Sequence, residues 1–357
     1  GNPLLQSAVL RAPAIPDIAG VIVVTNREYY YQSKEQLEAA RTELDIGEIT
    51  YLLEPVGRNT APAIAMGAML AQKKYGADIV LLVLPADHLV ADVPEFAKVT
   101  DIAMRATQSG DIVTFGIVPT APETGYGYIE TEGAWQPATI VDVKRFVEKP
   151  VYKDALPFVD SGCYLWNSGM FCLRADTILA AIESHAPEIF EKTGESWRRT
   201  VSGIQSDGDA WKIEADVFPK VPTISIDYAV MEHARNVKII PSDIGWNDIG
   251  SWRAVSELLA PDENGNKVIG EAILVETKNT YVQGDRRMIA AVGVEDLIVV
   301  DTPDALRVGH RDKMQLVKDV VGHLKIEGHE SAKLHRTVHR PWGTYTVLEE
   351  AKNYKMT

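Results

Sequence analysis

Three features of the sequence predict a doubly wound α/β sheet, mixed but mostly parallel, followed by a smaller C-terminal β domain of solenoid character. Short β-branched runs alternate with amphipathic stretches through the first two thirds. Polar motifs fall just after the predicted strands, where sheets of this class bind ligands. Beyond Pro261, short strands follow one another with little helix between them.

The elements follow in order. Val21-Ile22-Val23-Val24 reads as a buried strand, and a polar helix follows from Glu28 to Glu43. Ile49 to Leu53 is a second strand, and Ala61 to Tyr75 a helix rich in Ala, Met and Leu. Ile79 to Leu84 is apolar throughout, as expected of a central parallel strand covered on both faces. Pro94 to Ser109 reads as helix and Ile112 to Val118 as strand, giving right-handed crossovers. A turn cluster at Asp262-Glu263-Asn264-Gly265-Asn266 opens the β domain. Its strands are Ala272–Glu276, Thr280–Gln283, Met288–Val292 and Leu297–Asp301, closed by a helix from Lys313 to Leu324. The expected boundaries are 1–260, 261–330 with its closing helix, and 331–357 as a linker and the start of another β domain.

A chain of 357 residues exceeds what one hydrophobic core usually serves, which requires this division. No apolar run approaches the roughly 20 residues that span a bilayer. Gly1 to Gln6 lacks the basic and apolar regions of a signal peptide. Cys163 and Cys172, the only cysteines, lack metal-site spacing and suggest a reducing compartment. The expectation is a soluble cytoplasmic protein without a membrane partner. A net charge of −14 argues against a nucleic-acid-binding face. It allows a nucleotide ligand where a cation and a few basic side chains reverse the local sign.

Several motifs carry possible chemistry. In Leu84-Pro85-Ala86-Asp87-His88, the Asp87 carboxylate ends a strand where it can hold Mg²⁺ or cap a helix. His88 reads as a structural hydrogen-bonding residue. Gly245-Trp246-Asn247-Asp248-Ile249-Gly250-Ser251-Trp252 offers a second carboxylate in a glycine turn, with Asp248 or Ser251 as the alternative helix cap. Phe146-Val147-Glu148-Lys149-Pro150 ends a strand, and its Glu-Lys pair suits sugar hydroxyls and a phosphate, or simply an exposed ion-paired turn. Glu54-Pro55-Val56-Gly57-Arg58-Asn59-Thr60-Ala61-Pro62 leads into a helix whose first amides can receive a base edge or a phosphate, with Thr60 as N-cap. Gly125-Tyr126-Gly127-Tyr128 allows close backbone approach, or is a plain turn. Asn167 and Ser168, in an otherwise apolar strand, need partners from ligand or backbone.

Taken together and in this order, these segments and Ser225-Ile226-Asp227-Tyr228-Ala229-Val230-Met231-Glu232 resemble the bacterial mannose-1-phosphate guanylyltransferases, from about Pro3 to Leu324. His339-Arg340-Pro341-Trp342-Gly343-Thr344-Tyr345 resembles the start of the cupin-type mannose-6-phosphate isomerase domain of their bifunctional members. That domain is expected to be largely absent, and its activity with it. The resemblance implies joining of GTP and mannose 1-phosphate into GDP-mannose and diphosphate by in-line transfer. It implies Mg²⁺ held by Asp87 and Asp248, which with Lys149 form the catalytic set. Glu54, Gly57, Asn59, Thr60, Ala61 and Asp87 would bind the nucleotide. Gly127, Glu148, Lys149 and Asn167 would bind the sugar phosphate, with Asp227 in contact or in support. A homodimer is a further expectation. The family's Gly-Gly-x-Gly-Thr-Arg-Leu phosphate loop has no counterpart here, and Pro3 to Arg11 resembles the helix after it. The expectation is that this loop is omitted and that residues 1–357 bind GTP poorly. The competing readings are a transferase for another base or sugar, and an inactive sugar-nucleotide-binding subunit.

Overall fold

Valine and isoleucine fit a pleated, covered surface, and in the computed structural model they build the first strand pair. β1 (Gly20–Asn26) and β2 (Glu48–Glu54) run parallel, with Gly20 opposite Glu48 and Asn26 opposite Glu54. The structure describes residues 3–41, 47–203, 206–250, 252–284, 286–303, 305–327, 337–340, 343–346, 349–351 and 354–356. They form two compact units, Gly1–Asn247 and Asp248–Thr357.

In the first unit, α1 (Leu4–Val9) precedes β1, and α2 (Tyr30–Arg41) joins β1 to β2. The helix predicted from Glu28 begins instead with a 3₁₀ turn at Arg27–Tyr29, and its predicted residues 42 and 43 lie outside the described residues. α3 (Thr60–Tyr75) leads to β3 (Val80–Val83), the short β4 (Leu89–Val90), α4 (Val93–Ala106) and β5 (Ile112–Ile117). β6 (Tyr128–Thr131), β7 (Val141–Val147), α5 (Tyr152–Ser161) and β8 (Tyr164–Arg174) follow. Then come α6 (Ala175–His185), α7 (Pro187–Ser202), β9 (Ser206–Asp207), β10 (Ala210–Lys212), a π-helical turn at Asp227–Met231, β11 (Val237–Pro241) and β12 (Trp246–Asn247).

The strands make a four-stranded sheet, β1-β2-β10-β9, and a six-stranded sheet, β3-β8-β5-β11-β7-β6. Helices cover both faces of the larger sheet. Leu81 and Val83 of β3 join the cluster built from α3 and α6, while Val80 and Leu82 join the cluster containing Phe96, Val99 and Ala103 of α4. This is the α/β architecture expected, but the expected parallel majority is corrected for the larger sheet: among the described residues β5 and β11 pair in parallel, and its other pairings are antiparallel. The reading of β3 as a central parallel strand is corrected in its details. β3 is covered on both faces, but its only strand neighbour among the described residues is β8, which runs antiparallel. β8 comes about 90 residues later in sequence and inserts between β3 and β5, so local alternation of strand and helix does not reveal it. β1 likewise has a strand neighbour on one side only among the described residues.

In the second unit, α8 (Trp252–Glu257) precedes β13 (Lys267–Ile269), β14 (Ala272–Val275), β15 (Tyr281–Gly284), β16 (Ile289–Val292), β17 (Leu297–Asp301) and β18 (Leu306–His310). β13, β15 and β17 stack in parallel, as do β14 and β16, and β18 closes the first stack antiparallel. Asn266 ties successive coils: its Nδ2 donates to the Thr277 carbonyl at 2.8 Å and its Oδ1 accepts from Thr280 N–H at 3.1 Å. The predicted closing helix starts as a 3₁₀ turn at Arg311–Leu316 and becomes α9 (Val317–Ile326). Two hairpins follow, β19 (Thr337–Arg340) with β20 (Gly343–Thr346), and β21 (Glu349–Ala351) with β22 (Tyr354–Met356).

α4 has a start signal in its sequence. Asp92 Oδ1 accepts from Glu95 N–H at 2.9 Å, and Pro94 occupies the first turn, where its missing N–H costs nothing. Asp92→Ala is expected to lower unfolding stability by about 1 kcal/mol, measured by urea denaturation. An unchanged midpoint would remove the cap from the account of this helix.

Candidate active site

The strand ends of the larger sheet bring together residues far apart in sequence. Gly127 precedes β6, Glu148 and Lys149 follow β7, Asn167 lies in β8 and Asp227 opens the π-helical turn. Asn167 N–H donates to the Gly127 carbonyl at 2.8 Å, and Asn167 Nδ2 donates to Asp227 Oδ1 at 2.8 Å. A Cβ on Gly127 would stand 2.5 Å from Glu148 Oε2 and 3.5 Å from Asn167 Cβ, so the carboxylate rests directly on the glycine. Lys149 Nζ pairs with Glu148 Oε1 at 2.9 Å. The ion pair that could have been a bland exposed turn is therefore real, but its Glu148 side chain is only 14% exposed and belongs to this cluster.

The electrostatics combine two carboxylates with one ammonium. Burial pushes the Asp227 carboxyl up, the Asn167 hydrogen bond opposes that shift, and the Glu148 charge adds to it. The hydrogen bond to Glu148 raises the Lys149 ammonium, which stays charged. Lys149 also sits at φ 46°, a left-handed conformation that is costly for a non-glycine residue and doubly so just before proline.

At the end of β2, Glu54 is 8% exposed, and its Oε1 has no hydrogen-bond partner. Burial raises its pKa to about 7. Beyond it, Arg58 Nη1 donates to Thr223 Oγ1 at 3.1 Å, and Ala61 N–H donates to the Ile224 carbonyl at 3.2 Å. Ile226 N–H donates to Thr60 Oγ1 at 2.8 Å. The N-cap of α3 is Asn59, whose side chain accepts from Thr60 N–H at φ 69°, rather than Thr60 as expected. The helix start does not have the free amides expected of it at Thr60 and Ala61: the Asn59 side chain takes the first and the Ile224 carbonyl the second. At Gly57 a methyl group in place of the glycine hydrogen would meet no atom within 4 Å.

Asp87 lies between β3 and β4, with its side chain 78% exposed and its Oδ1 3.8 Å from His88 Nε2. His88 Nδ1 accepts from the Trp246 indole at 3.2 Å, and its carbonyl accepts from Arg11 at 2.6 Å. Neither Arg11 nor Trp246 stands out in sequence as a partner of this segment: a single arginine behind a helix and an indole flanking a motif carry no pairing signal. β12 pairs antiparallel with β4, Asn247 opposite Leu89, so the first unit ends on the strand that follows Asp87. Asp248 is the first residue of the second unit, and its Oδ1 accepts from Gly250 N–H at 3.0 Å. Ile249 beside it has φ 47°, a rare conformation for a β-branched side chain. Ser251 lies outside the described residues. Among the described residues no group of three or more His, Cys, Asp or Glu side chains could hold a metal. An exposed carboxylate suits Mg²⁺, which takes one or two carboxylates and fills its remaining positions with phosphate oxygens and water; a zinc-type cage is not what these residues build.

A family model described as nucleotidyl transferase matches residues 1–265. The chain belongs to the nucleotidyl transferase family. A model described as the MannoseP isomerase/GMP-like beta-helix domain matches residues 270–324, and one described as mannose-6-phosphate isomerase C-terminal matches residues 327–357. The isomerase-type segment expected to be largely absent is thus represented over those last residues. The chain is 43% identical to the xanthan biosynthesis protein XanB of Xanthomonas campestris pv. campestris (strain B100), over 99% of its own length and 73% of the relative's. It is 37% identical to the mannose-1-phosphate guanylyltransferase of Escherichia coli (strain K12), over 99% and 73% of the two lengths. A crystal structure described as mannose-1-phosphate geranyltransferase from Thermus thermophilus superposes with a TM-score of 0.74 at 31% identity, covering 91% of this chain and 90% of the other. Among the described residues no helix is long and apolar enough to cross a membrane.

The geometry at Gly127 and Glu54 can be tested directly. Gly127→Ala pushes only the flexible end of Glu148, so the fold should hold within about 1 kcal/mol while the carboxylate leaves its seat. Affinity for the sugar phosphate should fall by about tenfold with nucleotide affinity unchanged, measured by calorimetry; the reverse split would place Gly127 on the nucleotide side. For Glu54, the raised folded-state pKa means that its stability contribution is complete below pH 4.5 and is lost as pH rises to about 7. Glu54→Gln should flatten that part of the stability profile. A mutant whose unfolding midpoint falls in parallel with the parent between these pH values would show that Glu54 is not the titrating group.

Proposed function

We propose that the chain joins mannose 1-phosphate to GTP, releasing diphosphate and forming GDP-mannose. The observation that carries this reading is the cluster of Gly127, Glu148, Lys149, Asn167 and Asp227, which offers a buried carboxylate for hydroxyls beside an ammonium for a phosphate. The similarity to guanylyltransferases supports the choice of mannose and guanine.

Glu148 accepts from sugar hydroxyls and is held by contact with Gly127 and by Lys149. Lys149 exchanges part of its pairing with Glu148 for the sugar phosphate, and its strained backbone keeps it at the strand end. Asp227 holds the amide of Asn167 and so orients the opposite wall. On the nucleotide side, Glu54 presents an oxygen without a partner to the two N–H donors of a guanine edge, and the backbone at Gly57 admits the base closely. Two anions brought to about 4 Å repel by roughly 4 kcal/mol per charge pair at an effective dielectric of 20. Mg²⁺, held by Asp87 and Asp248, would supply the charge that offsets this repulsion. The cysteines, unpaired in the fold, suit a cytoplasmic setting, and a homodimer is part of the same proposal.

The direct experiment is diphosphate release from mannose 1-phosphate with each of GTP, ATP, UTP and dTTP, repeated with glucose 1-phosphate. Preference for UTP or dTTP with glucose 1-phosphate would overturn the assignment. In the complete protein, Asp87→Asn and Asp248→Asn should each reduce turnover about a hundredfold at saturating Mg²⁺. Near-parental turnover in either variant would remove that residue from the metal site.

A further inference from the structure

The Asp87 carboxylate is exposed and stands on a connector between two short strands, where backbone and rotamer freedom would blur its position. His88, the next residue, is by contrast held on three sides. The Trp246 indole has only a donor, so His88 Nδ1 must accept at their 3.2 Å contact. The proton of the neutral imidazole then sits on Nε2, the nitrogen that faces Asp87 Oδ1 at 3.8 Å. The His88 and Trp246 rings meet edge to face with centroids 5.3 Å apart, and Tyr126 packs on Trp246 at the same separation. The His88 carbonyl accepts from Arg11 Nη2 at 2.6 Å. Underneath, Gly169 in β8 has φ 69° and no side chain; a Cβ there would lie 3.6 Å from Pro85 Cγ and 3.8 Å from His88 Cε1.

Arg11 is the unusual member. It is 2% exposed, its guanidinium lies 6.0 Å from the centre of the buried Phe96 ring, and its Nη1 has no hydrogen-bond partner. Burying a guanidinium is costly unless it is well paired, and an apolar side chain would fill the same space more cheaply. What Arg11 supplies that an apolar residue cannot is a short charge-assisted bond to the backbone one residue beyond Asp87.

We infer that Arg11, His88 and Trp246 are positioning residues that preset the Asp87 carboxylate for a divalent cation: Arg11 fixes the backbone of the connector, Trp246 fixes the tautomer and plane of His88, and His88 Nε2–H faces the carboxylate. The inference rests on the reading of Asp87 as a metal-holding residue. It adds a supporting layer reaching from the turn after the N-terminal helix to the last strand of the first unit. Outer partners of metal ligands typically govern affinity by about 10-fold or more.

The test uses the complete protein and Mn²⁺ as probe, with binding read by electron paramagnetic resonance in the presence of GTP. Trp246→Phe keeps the ring packing and deletes the donor. It should weaken Mn²⁺ binding about tenfold and lower kcat, while KM for mannose 1-phosphate and the thermal midpoint stay within error of the parent. Arg11→Lys, which keeps a donor for the His88 carbonyl, should retain most of the affinity that Arg11→Met loses; if Arg11→Met does not fold, the tryptophan variant still decides. Unchanged Mn²⁺ affinity in Trp246→Phe would overturn the inference. A double variant separates it from the reading beneath it. If the clamp acts through Asp87, adding Trp246→Phe to Asp87→Asn should cost nothing more. Fully additive losses would overturn the clamp while leaving Asp87 in place. An Asp87→Asn variant that binds Mn²⁺ as the parent does would instead overturn the metal reading itself. As a check independent of turnover, the Trp246 indole N–H resonance should shift on addition of Mg²⁺ in the parent and stay fixed in Asp87→Asn.

Discussion

The arrangement depends on Asn167 and the way its polar groups are used. Its N–H holds the Gly127 carbonyl, its Nδ2 holds Asp227, and its Oδ1 accepts from Gly169 N–H at 3.1 Å and from the Thr114 hydroxyl at 3.3 Å. One residue in β8, through its backbone N–H and its side-chain amide, thus joins the loop before β6, the π-helical turn, β5 and the backbone at Gly169 of its own strand. An amide with this many partners is expensive to disturb, because each bond lost strands a desolvated group. The register of β8 against β5 shifts between Thr114 and Gly116, where these bonds are made. The irregularity in the sheet and the polar cluster are the same feature.

Around that anchor the cluster combines charge with shape. Glu148 and Asp227 bring two carboxylates close together, and the Lys149 ammonium balances them only in part. That excess of carboxylate charge suits hydroxyl donors and opposes a simple phosphate. The geometry of the cluster is held by conformations that resist relaxation: the left-handed Lys149, and Gly127, whose missing side chain is what lets the carboxylate settle. Local strain of this kind persists only where surrounding packing overrides it.

Much of this is legible in the sequence, and the reasons are specific. Strand and helix periodicity places β1, β2, α3, β5 and the short strands of the second unit, because apolar alternation is a local signal. The antiparallel insertion of β8 is not legible, since pairing across about 90 residues leaves no local mark. The motifs at strand ends indicate which polar residues to watch, and the resemblance supplies their grouping. Spacing alone cannot join Gly127 to Glu148 or Asn167 to Asp227. At Thr60 and Ala61 a helix start is expected to have free amides; here the Asn59 side chain and the Ile224 carbonyl take them, which spacing does not reveal. Arg11 has no signal at all, because a lone arginine reads as surface until its burial is seen.

The late arrival of β8 also bears on how the chain is made. During synthesis Val83 emerges well before Phe171, its partner in the ladder. At elongation rates of about 20 residues per second or slower, that gap lasts roughly 5–20 s. Through that interval the nascent chain carries a strand of Val, Leu, Leu and Val without its β8 partner. Folding of the larger sheet must therefore wait on the ribosome for its central member, and substitutions that weaken β8 should appear first as poor yield of soluble protein, before any effect on catalysis.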